Sequence, residues 1–169
     1  MKIIKIILFI SIITSSFSFA AEKNKTFEGT GGRDDFSYLN AKNSNFKKGN
    51  DALKQAIKLK EKNKIKKSNK RLEKAISYFV LAYNESPNNL EVLNLLGFSY
   101  NLAGDVIMSE IYYSEALNID PKNNLVNQRL GELYFNTNRI SLAKEKLKIL
   151  SKCNCEEYSV LKMMIDKKK

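Results

Sequence analysis

From Asn45 onward the apolar positions recur with the stride of an α-helix. Phe46, Leu53, Ala56 and Ile57 fall along one stripe among lysines and predict a first helix. Leu72, Ala75, Ile76, Phe79, Ala82 and Tyr83 predict a second, which Ser68 or Asn69 is placed to cap. That helix must stop at Glu85-Ser86-Pro87-Asn88-Asn89, because Pro87 lacks an amide hydrogen and its ring collides with the preceding turn. A second pair is predicted from about Leu90 to Asn118, turning at Ala103-Gly104 and ending at Asp120-Pro121-Lys122-Asn123. A third runs from about Asn124 to Ser151 and turns at Asn136-Thr137-Asn138, where Asn138 takes the left-handed conformation that Gly104 supplies one pair earlier. A last short helix, Glu156 to about Lys167, places Tyr158, Leu161 and Ile165 on one side.

Two segments precede the helices. Residues 1–20 combine Lys2 and Lys5, an apolar run from Ile6 to Ile13 broken only by Ser11, and the small residues Ser18 and Ala20 two apart. This is the make-up of a secretory signal peptide with a cut after Ala20. The apolar run is well short of the ~20 residues a membrane-spanning helix needs. Export to the periplasm or medium is expected, with no membrane span after cleavage. Residues 21–45 are polar and rich in Gly, Asn and Ser, and are expected to form a flexible arm on which Phe27, Phe36 and Tyr38 can dock locally. Gly29-Thr30-Gly31-Gly32 lacks the Lys-Ser/Thr that completes a phosphate loop.

A shift of 34 residues superimposes the later pieces. Leu96-Gly97 falls on Leu130-Gly131, and Tyr100 on Tyr134. Ala75, Ser109 and Ala143 align, as do Phe79, Tyr113 and Leu147, then Ala82, Ala116 and Leu150, and finally Pro87, Pro121 and Cys155. Gly97 and Gly131 admit a second helix at close range, with Ala75, Ser109 and Ala143 as the small residues opposite. Tyr100 and Tyr134 are expected to fill the groove between successive pairs. One such pair cannot bury its apolar face alone, so pairs must stack. At Leu93, Leu96, Gly97, Tyr100, Ser109, Tyr113, Ala116 and Pro121 the sequence resembles the tetratricopeptide repeat family. The third unit departs from the pattern at Asn127, Leu147, Leu150 and Cys155. The first unit matches in its second helix only. If Gly49 takes the place of Gly97, 14 extra residues lengthen the first helix or its loop. The resemblance implies an all-α, right-handed helix-hairpin solenoid of about three repeats (residues 46–89, 90–123 and 124–155) with a C-terminal capping helix, 156–167. The layout, including the run from Cys153 to Tyr158, looks like that of small exported bacterial proteins of this family.

The family's first helices line a concave groove that binds extended peptides or partner helices. The resemblance therefore places Asn94, Phe98, Asn101, Leu102, Leu125, Gln128, Arg129, Glu132, Phe135 and Asn136 in such a groove. Amides there suit a peptide backbone, and Phe98 and Phe135 suit apolar side chains. The alternative is that Phe98, Leu102 and Leu125 are core between repeats. Some members clamp a C-terminal carboxylate with basic groove residues. Arg129 fits that pattern, while Leu125 stands where a lysine is expected.

Composition narrows the chemistry. The 169 residues contain no His and no Trp, which removes Ser-His-Asp triads, His acid–base steps and His-containing zinc sites. Of a formal net charge of +11, most is local: Lys47 to Lys74 holds 12 basic and 3 acidic residues, whereas the rest of the chain beyond residue 20 holds 15 of each. That segment is either a solvated face or a docking surface for anionic lipid, cell-wall polymer or acidic protein. It is lysine-rich with little aromatic interleaving, so nucleic acid is not expected. Cys153 and Cys155 flank Asn154 and leave three readings open: a local disulfide, a redox-active pair or free thiols. Two cysteines without further ligands make no metal site, and Glu156 and Glu157 serve a helix N-terminus. The expectation is a non-enzymatic module that uses no cofactor or metal and binds a protein or peptide. The alternatives are an assembly part docked by its Lys-rich helix on an anionic envelope surface, or a small thiol–disulfide protein.

Overall fold

The computed structural model describes residues 35–167, with side chains from residue 44. The expected signal peptide and the arm as far as residue 34 lie outside the described residues. Seven helices follow in order: α1 (Asp35–Glu61), α2 (Ile65–Glu85), α3 (Leu90–Ala103), α4 (Val106–Ile119), α5 (Asn124–Asn136), α6 (Ile140–Leu150) and α7 (Glu156–Asp166). They form three antiparallel hairpins, α1–α2, α3–α4 and α5–α6, each stacked on the next, with α7 packed on α5 and α6. The architecture is the all-α hairpin solenoid expected from the stride.

One core runs through the stack in two clusters. Leu53, Leu72, Phe79, Val92 and Leu96 anchor the first. Leu93, Tyr113, Leu130, Leu150 and Leu161 anchor the second. Helix α3 feeds both, because Leu93 and Leu96 lie one turn apart on its buried side. Tyr83, Phe98 and Tyr112 touch both and join them. The caps follow local chemistry. Asn89 Oδ1 accepts from the amides of Glu91 and Val92, Asp105 Oδ1 from Met108, and Asn123 Oδ1 from Val126. Asn127, which departs from the repeat pattern, is buried and donates through Nδ2 to the carbonyls of Pro121 and Asn123, tying the link between hairpins to α5.

Each hairpin is built on the same short rule. A small residue on the first helix, Ala56, Gly97 or Gly131, is followed seven residues later by a turn residue in the left-handed region: Asn63 at φ 54°, Gly104 at φ 84° and Asn138 at φ 62°. Twelve residues after the first position comes its small partner, Ser68, Ser109 or Ala143. Ser68 Oγ donates to the Ala56 carbonyl and Ser109 Oγ to the Gly97 carbonyl, both at 2.8 Å. The 14 extra residues of the first unit are therefore divided equally, seven in α1 and seven in α2, about two turns of each. The loop is no longer than its counterparts.

Two expectations are corrected. Neither Ser68 nor Asn69 caps α2, which starts at Ile65 after Lys64 without a side-chain cap. The Ser68 hydroxyl faces α1 instead. The polar arm does not reach residue 45, since α1 already begins at Asp35. Extending a formed helix backward needs no new nucleus, and an acidic residue favours its first turn.

Candidate functional site

Helices α3 and α5 carry the ten residues expected to line a groove, and the structure sorts eight of them into three groups. Asn94, Phe98 and Arg129 come together. Arg129 Nη1 donates to Asn94 Oδ1 at 2.8 Å across the two helices, and its guanidinium lies over the Phe98 ring, 4.5 Å from the centroid. Asn94 is 9% exposed, and Phe98 and Arg129 are half-buried. Burial pulls the Arg129 pKa below its ordinary value, while Tyr113 and Glu132 hold its charge up. The ion pairs among the described residues are Arg139–Glu110 and Lys162–Asp166, so Arg129 is not engaged in one. In the second group Gln128 Nε2 donates to Glu132 Oε1 at 2.9 Å, one turn along α5. Leu125 is 38% exposed at the start of the same helix.

Phe135 and Asn136 form the third group, together with α7. They line a cleft of about 670 Å³ with Val160, Met163, Met164 and Lys167. Met163 is 57% exposed. These α7 residues were missed in the sequence, where only the buried side of the capping helix was traced. The signal was present in the Met163-Met164 pair, because Met163 falls off the Leu161–Ile165 stripe. Leu102 and Phe98 pack against the first core cluster. For Leu102 the inter-repeat core reading is the better one, whereas Phe98 serves both core and surface. Asn101 is half-buried on the last turn of α3.

Tyrosines tie the hairpins together. Tyr100 stacks on Tyr112 at 5.5 Å and 10°, and Tyr112 meets Tyr83 of the preceding hairpin edge-on at 5.9 Å. Tyr100 therefore reaches the first hairpin through Tyr112. Tyr83 donates to Glu115 at 2.7 Å, which raises its pKa along with burial. Tyr134 lies under Arg139, which pairs with Glu110 at 2.6 Å. Burial, with help from the Glu110 carboxylate, pushes the Tyr134 hydroxyl up to about 12. Cys153 and Cys155 are joined by a disulfide in the link from α6 to α7, and both pack against the second core cluster.

Residues 90–123, which span α3 and α4, match the family model described as tetratricopeptide repeat. The first TPR of Spaghetti (RPAP3), solved bound to the HSP90 peptide SRMEEVD, is similar at a TM-score of 0.53 and 15% identity, over 72% of this chain and 93% of that one. The fold is a tetratricopeptide-repeat solenoid. The Sgt2 TPR domain from Aspergillus fumigatus is similar at a TM-score of 0.52 and 21% identity, over 68% of this chain and 78% of that one. The Arabidopsis OM64 TPR domain is similar at 0.55 and 15%, over 74% and 99%. Among curated proteins, none matches the chain. The α3–α5–α7 side is where this solenoid offers polar and apolar groups together.

Proposed function

We propose that the protein is an exported interaction module whose α3–α5–α7 groove holds an extended, acidic segment of another protein. The observation that carries this reading is the Arg129 group. A guanidinium fixed by Asn94 and stacked on Phe98 is half-desolvated yet makes no ion pair among the described residues. A carboxylate from a partner would complete it with two parallel hydrogen bonds, a geometry that arginine serves and lysine does not. The cleft between Phe135 and Met163 lies farther along the same helix and accepts an apolar side chain. The similar Spaghetti domain holds a peptide with two consecutive glutamates and a terminal aspartate. Leu125 in place of a lysine argues for engagement through Arg129 and the apolar cleft, without a multi-lysine clamp. Residues 1–20 support export.

The test is selection of peptides from a displayed library on the immobilised protein, followed by fluorescence polarisation with the winners. Acidic peptides are expected, with affinity falling about tenfold or more for Arg129→Ala and for Phe98→Ala, as at desolvated anchor residues. Binders indifferent to both substitutions would remove the groove from the account. Export is tested by the mass of the chain recovered from the periplasm or medium, which should lack residues 1–20.

A further inference from the structure

The extra heptads of the first hairpin carry the charge. Phe79 and Ala82 of α2, and Pro87 just after it, keep the repeat's register with Tyr113, Ala116 and Pro121. The added turns therefore extend the α1–α2 hairpin at its tip, about 10 Å beyond the length of a regular repeat. The extension is not a floppy insert. Ala52, Leu53, Ala56, Ser68 and Leu72 are buried within it, and the Ser68–Ala56 hydrogen bond repeats the one at the heart of the second hairpin. Beyond Ser68 the tip is open: every residue from Glu61 to Lys67 is exposed. Lys62, Lys64, Lys66 and Lys67 flank Ile65 in sequence, and Ile65 stands 47% exposed at the start of α2. On the next turns Lys67, Lys70, Arg71 and Lys74 follow one face of α2 and, with Leu59 of α1, line a cleft of about 400 Å³. The ion pairs among the described residues lie elsewhere, on α4 with the α5–α6 link and on α7.

We propose that this projecting hairpin tip docks on the surface of an anionic phospholipid bilayer. Lysines would meet the lipid phosphates, and Ile65 would enter between the headgroups. Two features choose the occupant. Residues 57–74 contain no aromatic side chain on which a nucleic-acid base would stack. A bare apolar side chain among exposed lysines at the tip gains nothing from a soluble polyanion but gains burial at a lipid interface. Each basic residue near a negatively charged leaflet strengthens binding roughly fivefold. No described helix is long and apolar enough to cross a membrane, so contact would be peripheral. This inference does not depend on the groove, which lies on other helices.

The chain has no tryptophan, so Ile65→Trp provides a unique optical probe. The full-length Ile65→Trp protein is mixed with vesicles of phosphatidylcholine, vesicles of phosphatidylcholine with phosphatidylglycerol, and inorganic polyphosphate. Emission should shift to shorter wavelength with the anionic vesicles alone. In co-sedimentation, charge reversal by Lys62→Glu, Lys64→Glu, Lys66→Glu and Lys67→Glu together should weaken anionic-vesicle binding at least a hundredfold on the scale of those electrostatics, with unchanged circular dichroism. The same measurements on the chain without residues 1–20, the form expected after export, separate their lipid affinity from that of the tip. An unshifted spectrum with anionic vesicles, an equal shift with polyphosphate, or full binding by the charge-reversed protein would each overturn the proposal.

Discussion

The first and second hairpins obey one packing rule and differ in what they do with it. In α3–α4, Gly97 lies against the Tyr113 ring, and a Cβ there would sit 2.5 Å from Cδ1. Only seven residues separate Gly97 from the turn at Gly104, and nothing is left over. In α1–α2, Gly49 meets Phe79 in the same way, with a built Cβ 2.6 Å from Cε1, but 14 residues separate it from the turn at Asn63. The second small pair, Ala56 with Ser68, lets the two helices stay close over that added length. The comparison teaches that a hairpin can grow by a heptad in each arm without leaving the stack, provided the close-approach residues are repeated. Length gained this way is free of the groove and available for another surface.

The sharpest way to break the comparison is to cut the first hairpin to the length of the second. Removing residues 50–56 together with 68–74 brings Gly49 within seven residues of Asn63 and Asn63 within five of Ala75, the spacings found around Gly97, Gly104 and Ser109. Either removal alone leaves one arm a heptad longer than its partner and offsets the pairing. Urea unfolding should show each single deletion strongly destabilised, beyond about 4 kcal/mol, the range reserved for gross packing failures. The double deletion should recover much of that loss in a strongly non-additive cycle. A double deletion as unstable as the sum of the two would mean the arms do not match heptad for heptad.

Glycine replacement comes next in size. Gly97→Ala and Gly49→Ala force a methyl group against the Tyr113 or Phe79 ring, rigid and fully buried, and overpacking of this kind costs about 1–3 kcal/mol. Gly131→Ala meets a different neighbour, the Leu161 side chain of α7 at 2.5 Å. In the third repeat, Leu147 replaces the aromatic, and the capping helix supplies Leu161 to the vacated space. A leucine end on a terminal helix can move, so Gly131→Ala should cost less and be read as loosened α7 amides in hydrogen exchange. Equal costs at all three glycines would remove this distinction.

Alkaline unfolding separates the inter-repeat tyrosines from the tip. Tyr134 is held neutral up to about 12, and burial also raises Tyr113 well above its ordinary value. A folded pKa above the unfolded value of about 10 means that the unfolded chain releases protons first. The stability Tyr134 contributes is intact below pH 10 and is lost as pH climbs from 10 through about 12, and that of Tyr113 is lost over a window that starts at the same pH and reaches higher. Thermal midpoints should fall over that window, with a shallower fall in Tyr134→Phe. A fall already complete below pH 10 would point to other groups.

The regular part of the solenoid was legible because each repeat writes its constraints in local residue types: Gly104 and Asn138 for the turns, Gly97 opposite Ser109, and Pro121 after the second helix. The tip was half legible. Gly49 betrayed 14 extra residues, but their division between two helices depends on Ala56, Ser68 and Asn63 meeting in space, and alanine and serine are too common to announce a contact. Ser68 was read as a cap for the same reason, since a hydroxyl near a helix start looks alike whether it turns to its own amides or to a neighbouring carbonyl. In the expected groove, Arg129 and Phe98 each stand out in the sequence, but their union through Asn94 joins two helices across 35 residues of sequence. The α7 half was missed because a capping helix is recognised by the face it buries, and the opposite face carries no pattern of its own.

The smallest expected effect tests the rule at its narrowest point. Ser68→Ala and Ser109→Ala each delete one hydroxyl that donates across a hairpin to a carbonyl, of Ala56 and Gly97 respectively. Both carbonyls lie inside helices, where they also serve the backbone ladder, so neither is left wholly unpaired. The cost should be about 1 kcal/mol at each site, the net worth of a typical hydrogen bond. The local consequences should differ. Ser109 sits in the middle of the stack, and its loss lowers global stability. Ser68 holds the base of the exposed tip, so its loss should speed hydrogen exchange at amides 57–67 more than it shifts the urea midpoint. If Ser68→Ala shifts the midpoint as much as Ser109→Ala and leaves tip exchange unchanged, the tip and the stack unfold as one unit, and the added heptads are core structure in the same sense as the repeats they extend.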